Sequence, residues 1–229
     1  EAFSRPRPSG IIALGLKDDD QLIGVDICRG DRDVMLFTSQ GKVVRFPETD
    51  VRPMGRTAAG VRGIRLPEGE QVIALIVVRE GEILTVSERG YGKRTPIDDY
   101  PVHKRGGQGV WSLKGTAKTG RLVSAKEVLE DDEIMLITNS GSLVRTGVKD
   151  ISSMSRNTQG VRIIRVTEDD RLVGVDRIVN EDDADEVVAE AAAEQPAADE
   201  AVSAVQPADE GLADDSAAEG DDSESPENS

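Results

Sequence analysis

The sequence predicts an all-β, propeller-like chain, and three observations carry that prediction. A glycine followed by a short apolar segment returns at a fixed period. Gly10, Gly60, Gly109 and Gly160 stand 50, 49 and 51 residues apart, the mark of an array of equivalent units. A second landmark keeps the same register, since the turn glycines Gly41, Gly90 and Gly141 are 49 and 51 apart. Finally, one segment of each unit is continuously apolar: Val34-Met35-Leu36-Phe37, Ile83-Leu84-Thr85-Val86 and Ile134-Met135-Leu136-Ile137. Strands covered on both faces read this way. Four strands per unit, each sheet sandwiched between neighbours, describe a blade in a radial array.

Residues 1–9 read as the end of a unit whose start lies upstream, with Pro6 and Pro8 making a stiff connector. The first full repeat, 10–59, predicts strands at 11–16, 22–28, 34–38 and 42–46. Asp18-Asp19-Asp20 and Arg29-Gly30-Asp31 punctuate it, and Ser39-Gln40-Gly41-Lys42 supplies a tight hairpin turn with glycine where φ must be positive. The second repeat, 60–108, predicts strands at 61–66, 71–78, 83–87 and 91–95, turning at Glu88-Arg89-Gly90-Tyr91. The third, 109–159, predicts 110–114, 122–129, 133–138 and 142–146, turning at Asn139-Ser140-Gly141. A fourth begins at Gly160 and predicts two strands, 161–166 and 172–178. Residues 1–180 thus form a repeat region of about three complete blades and two partial ones. Aromatic residues make up only 3% of the chain, so Val, Ile and Leu must fill the core.

Charge divides the chain at the same point. The formal charge is −16 over 229 residues, but 181–229 holds 18 acids and no Lys or Arg. Residues 1–180 keep 26 acids against all 28 bases, a balance near neutral. The whole-chain charge argues against a nucleic-acid partner; the segregated charge does not. The Ala/Glu/Asp/Ser/Pro composition of 181–229 cannot bury enough apolar surface to offset ordering entropy, so a disordered acidic tail is expected there. One cysteine, Cys28, excludes an internal disulfide framework and reads as a buried structural thiol. No apolar run approaches the ~18–20 residues of a membrane span.

Catalytic chemistry finds no foothold. The one histidine, His103, lies in a turn; there is no Walker loop, CxxC pair or HExxH. Gly106-Gly107-Gln108-Gly109 lacks the Lys-Ser/Thr and the helix of a phosphate loop. Asp18-Asp19-Asp20 and Asp131-Asp132 read as solvated turn charges, not a cation site. Bases, by contrast, recur in place. Arg56, Arg105 and Arg156 each precede a strand-opening glycine by four; Arg45, Arg94 and Arg145 each follow a hairpin glycine by four; Arg62 and Arg65 match Arg162 and Arg165. In a radial array, equivalent positions share a rim, so periodic cations predict a curved basic stripe for a bent polyanion, read through phosphates alone. With Lys42, Lys93 and Lys104, these are the candidate polyanion-binding residues. Trp111 reads as core or inter-blade packing, and Tyr91 carries no signal.

The phrases Asp20-Gln21-Leu22-Ile23-Gly24-Val25-Asp26, Gly41-Lys42-Val43-Val44-Arg45-Phe46, Gly60-Val61-Arg62-Gly63-Ile64-Arg65-Leu66, Gly90-Tyr91-Gly92-Lys93-Arg94-Thr95 and Arg156-Asn157-Thr158-Gln159-Gly160-Val161 resemble the C-terminal domain of bacterial DNA gyrase A. The resemblance spans the repeat region, and that family also ends in an acidic tail. It implies a six-bladed β-pinwheel, a propeller relative with exchanged outer strands, of which this chain corresponds to roughly the last four blades. It implies a domain that wraps double-stranded DNA on a basic rim, carries no catalytic residues, and serves an ATP- and Mg2+-dependent type IIA topoisomerase. Partners would be the N-terminal region of gyrase A and the gyrase B protein in an A2B2 heterotetramer, in the bacterial cytoplasm. The hallmark box of the family, Gln-Arg-Arg-Gly-Gly-Lys-Gly, has only a degenerate counterpart here, His103-Lys104-Arg105-Gly106-Gly107-Gln108-Gly109; the intact box is expected upstream of Glu1. Two alternatives remain at this point: the substrate-selecting C-terminal domain of the topoisomerase IV A protein, and a kelch-like propeller that binds protein through loop tips.

Overall fold

The computed structural model of the chain describes residues 7–17 and 20–178. The expected tail, the connector around Pro6 and the pair Asp18-Asp19 lie outside the described residues. Among the described residues eleven strands run in order β1 Asp33–Thr38, β2 Lys42–Pro47, β3 Val72–Val77, β4 Glu82–Ser87, β5 Tyr91–Pro96, β6 Val110–Trp111, β7 Leu122–Val128, β8 Glu133–Thr138, β9 Leu143–Gly147, β10 Val161–Arg162 and β11 Leu172–Ile178. Only single 3-10 turns accompany them among the described residues, at Glu48–Asp50, Ile97–Asp99 and Val148–Asp150. The fold is therefore all-β, as the periodicities predict. No described helix is long and apolar enough to cross a membrane.

The sheets do not follow the sequence repeats. Sheet I has the order β3-β1-β2-β6, sheet II β10-β5-β4-β7 and sheet III β11-β8-β9. Each is built on one local hairpin, β1-β2, β4-β5 or β8-β9. The next repeat adds a long strand to one side: β3, β7 and β11 pair with β1, β4 and β8. The repeat after that adds a two-residue strand to the other side, with Trp111 opposite Lys42 and Arg162 opposite Tyr91. One sheet thus draws on three consecutive repeats, which corrects the reading of one repeat as one four-stranded blade.

Three expected strands do not form: segments 11–16, 22–28 and 61–66 are not strands. The apolar side chains of the first two segments are exposed: Ile12 69%, Val25 87%, Ile27 83%. Cys28 is likewise exposed, against the expectation of a buried thiol. Among the described residues the edge of β9 carries no two-residue strand, and Leu143 is 63% exposed where its equivalent Val43 is fully buried.

The apolar hairpin strands are covered on both faces where a neighbour exists. Met35, Phe37 and Val43 of sheet I pack against Ile83, Leu122 and Ala125 of sheet II. On the other face of sheet II, Leu84, Val86 and Val128 pack against Ile134, Leu136 and Leu172 of sheet III. Alternation along β4 sends Ile83 to one neighbour and Leu84 to the other. Each such side chain contributes about 1.5–3 kcal/mol by leaving water.

The hairpin glycines hold the outer strands. Gly41 has φ 93°, and a Cβ there would come within 2.0 Å of the Leu113 carbonyl oxygen; Gly90 has φ 74° and the same close approach to Ile164 at 2.4 Å. The Gly41 oxygen accepts from the Ser112 and Leu113 amides, and the Gly90 oxygen from those of Ile163 and Ile164. Gly141 keeps the left-handed φ of 85° but has open space around it, and among the described residues no outer strand reaches sheet III.

Candidate functional site

The thirteen candidate cations separate by what surrounds them. Arg45 and Arg94 sit in the middle of their hairpins, with side chains 15% and 11% exposed. Each pairs with a carboxylate on the facing strand, Asp33 at 2.7 Å and Glu82 at 2.9 Å. Each also reaches into the next repeat, Arg45 to the Ile97 and Tyr100 oxygens and Arg94 to the Ile151 oxygen. Arg145 keeps the cross-strand partner, Glu133, but is 57% exposed; its guanidinium is the first cause holding the Glu133 carboxyl below its usual range.

Arg56, Arg105 and Arg156 reach in the opposite direction. Arg105 donates to the Asp50 oxygen (2.9 Å) and the Arg62 oxygen (3.0 Å). Arg156 donates to the equivalent oxygens one repeat on, Asp99 (3.1 Å) and Trp111 (2.8 Å). Arg56 donates to the Ile12 oxygen at 2.7 Å. All three are half-buried. Their period reflects a recurring contact with backbone, which is fixed by the array whatever the ligand.

Lys93 is fully buried. Its Nζ donates to the Ser155 oxygen at 2.7 Å and to the Arg156 oxygen. Burial, aided by the nearby Arg156 charge and opposed by Asp99, lowers its pKa to about 8. Two carbonyl acceptors suit a neutral amine's two hydrogens and leave an ammonium's third unmet. The expectation that Arg45, Lys93 and Arg94 face DNA is corrected: all three lie in the central hairpins of their sheets, with their polar ends already taken by the protein.

The remaining candidates face solvent. Arg62, Arg65, Lys104, Arg162 and Arg165 are exposed, and Lys42 is half-buried. Lys42 Nζ lies 5.3 Å from the centre of the Trp111 ring, on the facing outer strand. Sheet II repeats this pair with the roles exchanged: the aromatic ring, Tyr91, is in the hairpin and the cation, Arg162, in the outer strand, again 5.3 Å apart. Trp111, expected in core or inter-blade packing, is an outer-strand residue of the third repeat paired with the hairpin of the first.

Sequence reasoning missed Tyr91 and Lys118. Arg162 donates to the Tyr91 hydroxyl at 2.9 Å, and Lys118 Nζ stands 5.3 Å from the ring centre. The hydrogen bond from Arg162, then its charge and that of Lys118, hold the Tyr91 phenol below its usual pKa. Tyr91, Lys118, Arg162 and Arg165 line an open depression of about 570 Å³ floored by Ile163 and Ile164. The register Tyr91↔Arg162 could be found in sequence only by someone who already knew the strand exchange.

Asp132 is another departure. It is 7% exposed, accepts from the Leu129 amide at 2.7 Å and pairs with Arg177 at 2.9 Å, so it closes a turn where a solvated charge was expected. No group of three or more His, Cys, Asp or Glu side chains among the described residues could hold a metal ion.

Known proteins point one way. The chain matches the family described as DNA gyrase C-terminal domain, beta-propeller, over residues 2–29, 32–79, 81–126 and 132–178. The DNA gyrase A protein of Salmonella typhimurium is 54% identical over 186 residues, covering 81% of this chain and 21% of that protein. The DNA gyrase A protein of Escherichia coli is 50% identical over 194 residues, covering 83% and 22%. The chain thus spans about a fifth of the length of these relatives. A solved DNA gyrase A C-terminal domain superposes with a TM-score of 0.68 at 32% identity, covering 75% of this chain and 59% of that one. The C-terminal domain of DNA topoisomerase IV gives 0.75 at 25% identity, covering 85% and 62%. On its repeats, its exchanged sheets and the match across them, the chain belongs to the DNA gyrase A C-terminal domain family.

Proposed function

We propose that this chain is the DNA-binding and DNA-wrapping part of a DNA gyrase A protein, bending duplex DNA so that the parent type IIA topoisomerase can introduce negative supercoils. The observation that carries the reading is the pair of exposed cations at equivalent places in two repeats, Arg62 with Arg65 and Arg162 with Arg165, in a chain of this family. Phosphate recognition needs only such charges in register with a backbone. Lys42 and Lys104 extend the set. In this reading ATP and Mg2+ act in parts of the enzyme outside this chain, which supplies no catalytic group. The partners are the remainder of gyrase A and the gyrase B protein in an A2B2 assembly, and the location is the bacterial cytoplasm, on the nucleoid.

The test is duplex binding by the chain across a salt series. Binding weakens steeply with salt, and replacing Arg62, Arg65, Arg162 and Arg165 by Gln lowers the log–log slope by about 0.9 for each phosphate no longer neutralised. A slope unchanged by the fourfold variant would remove these residues from the interface. The structural likeness to the topoisomerase IV domain favours a second reading, a domain that selects DNA substrates without wrapping them. Topological assays of the bound complex separate the two: wrapping leaves a change in linking number after nicked DNA is sealed, and mere selection leaves none.

A further inference from the structure

Sheet II carries a feature that sheet I lacks. The segment leading into the long strand runs from Gly60 to Gly69 before β3 of sheet I but from Gly109 to Gly120 before β7 of sheet II, two residues longer, with both end glycines in the left-handed region. The shorter connection carries Glu68, and Glu70 just beyond it is neutralised by Arg121 at 3.2 Å. The longer one is held by its own hydrogen bonds, the Thr116 amide to the Thr119 hydroxyl and the Gly120 amide to the Thr116 oxygen. It brings Lys118 over Tyr91, on the side where Arg162 arrives from β10.

We propose that Tyr91, Lys118, Arg162 and Arg165 form a phosphate seat for the DNA backbone, with Lys118 touching the phosphate directly and Tyr91 a positioning residue; this rests on the DNA-binding reading above. Three cations converge from two segments, with Tyr91 from a third, and among the described residues no carboxylate lines the depression. Among the described residues none of the three cations has an ion-pair partner, whereas Arg79, Arg121, Lys126 and Arg177 are each matched by a carboxylate. The Tyr91 hydroxyl accepts from Arg162, which fixes the guanidinium fork and leaves the O–H free to donate to an anion oxygen. The ring face takes the two charges that would otherwise repel each other. A guanidinium fork, an ammonium and a hydroxyl around an open hollow fit a phosphodiester, whose oxygens accept from several directions at once.

The experiment measures the full chain binding a plain duplex across a salt series, with thermal unfolding of every variant as the folding control. Lys118 is exposed, so Lys118→Gln leaves the unfolding temperature in place. It is expected to weaken binding about tenfold at low salt, as removing one charged hydrogen bond does, and to lower the salt slope by about 0.9. Tyr91→Phe keeps the ring and removes the hydroxyl. It weakens binding in the native background and has little further effect when Arg162→Gln is already present, which a merely structural role would not produce. If Lys118→Gln leaves affinity and slope unchanged while Arg62→Gln still weakens binding, the seat is overturned and the DNA-binding reading stands. A flat salt response of the native chain overturns both. If inorganic phosphate at matched ionic strength erases the difference between native and Lys118→Gln, the hollow takes free anions and the seat is overturned. If the native chain prefers a polyaspartate peptide to the duplex and Lys118→Gln abolishes that preference, it is a carboxylate site and the proposal also falls.

Discussion

Single residues in equivalent places of this array do different work, because their neighbours differ. Gly41, Gly90 and Gly141 all turn a hairpin with positive φ, yet only the first two lie under a neighbouring carbonyl. Asn tolerates the left-handed region but brings a Cβ. Gly141→Asn should therefore be nearly neutral, while Gly90→Asn should cost about 1–3 kcal/mol as it is forced against Ile164; chemical denaturation of the two variants measures the difference. Lys93 makes the same point with charge. The equivalent residues in the flanking repeats are Val44 and Val144, so a lysine occupies a slot built for an apolar side chain. Its pKa is lowered from 10.5 to about 8, so between those values the unfolded chain binds more protons than the folded one. Stability then rises with pH across that window and is insensitive to this group below it. Lys93→Met removes that rise. Tyr91 and Tyr100 titrate nearby, held low by Arg162 and high by burial respectively, so the readout is the difference in unfolding temperature between native and variant at pH 7.5 and above. An identical pH profile for both would show that Lys93 stays charged inside the sheet.

At the scale of elements, the arginines that looked like a ligand stripe are mostly clamps. Arg105 and Arg156 each donate two charged bonds to backbone carbonyls, one in the preceding repeat (Asp50, Asp99) and one in its own (Arg62, Trp111), and bonds to charged groups contribute about 1.5–3 kcal/mol each. Arg105→Gln with Arg156→Gln is thus expected to lower thermal stability by several degrees or more. Arg62→Gln with Arg165→Gln, at exposed positions, should leave stability alone and weaken DNA binding. Calorimetry and a binding titration on the same two variants decide the assignment, and the reverse outcome would return Arg105 and Arg156 to the interface. The three hairpins are legible in the sequence because their signal is local: an apolar run, a glycine turn, a second strand. The fold class follows from the period. Partner choice is not legible, because a repeat states its period without saying which copy each strand joins. The arginine series misleads for the same reason, since a backbone clamp and a phosphate-binding side chain recur with one period. Lys118 escapes notice because it lies in the two residues that break the period.

At the scale of the whole molecule, strand exchange changes how stability is shared. In a simple array each repeat touches only its neighbours, and stability is a sum of units and nearest-neighbour terms. Here sheet II contains β4 and β5 from the second repeat, β7 from the third and β10 from the fourth, so the coupling extends two repeats along the chain. Ending the chain after Gln159 deletes β10 and β11 together. Sheet III loses the long strand paired with β8, and Leu172 and Val175 leave the core shared with sheet II. Sheet II loses the strand opposite Tyr91 and Gly92 and the donors to the Gly90 oxygen, baring a hydrogen-bonding edge that is prone to association. Native-state hydrogen exchange on the shortened chain should show faster exchange in both 88–96 and 133–147, while 33–47 keeps its protection because β3 and β6 remain. Blades made of one repeat each would lose protection in 133–147 and keep it in 88–96. That second outcome would mean the two-residue outer strand touches the sheet without stabilising it, and that sheet II is held by its long strands alone.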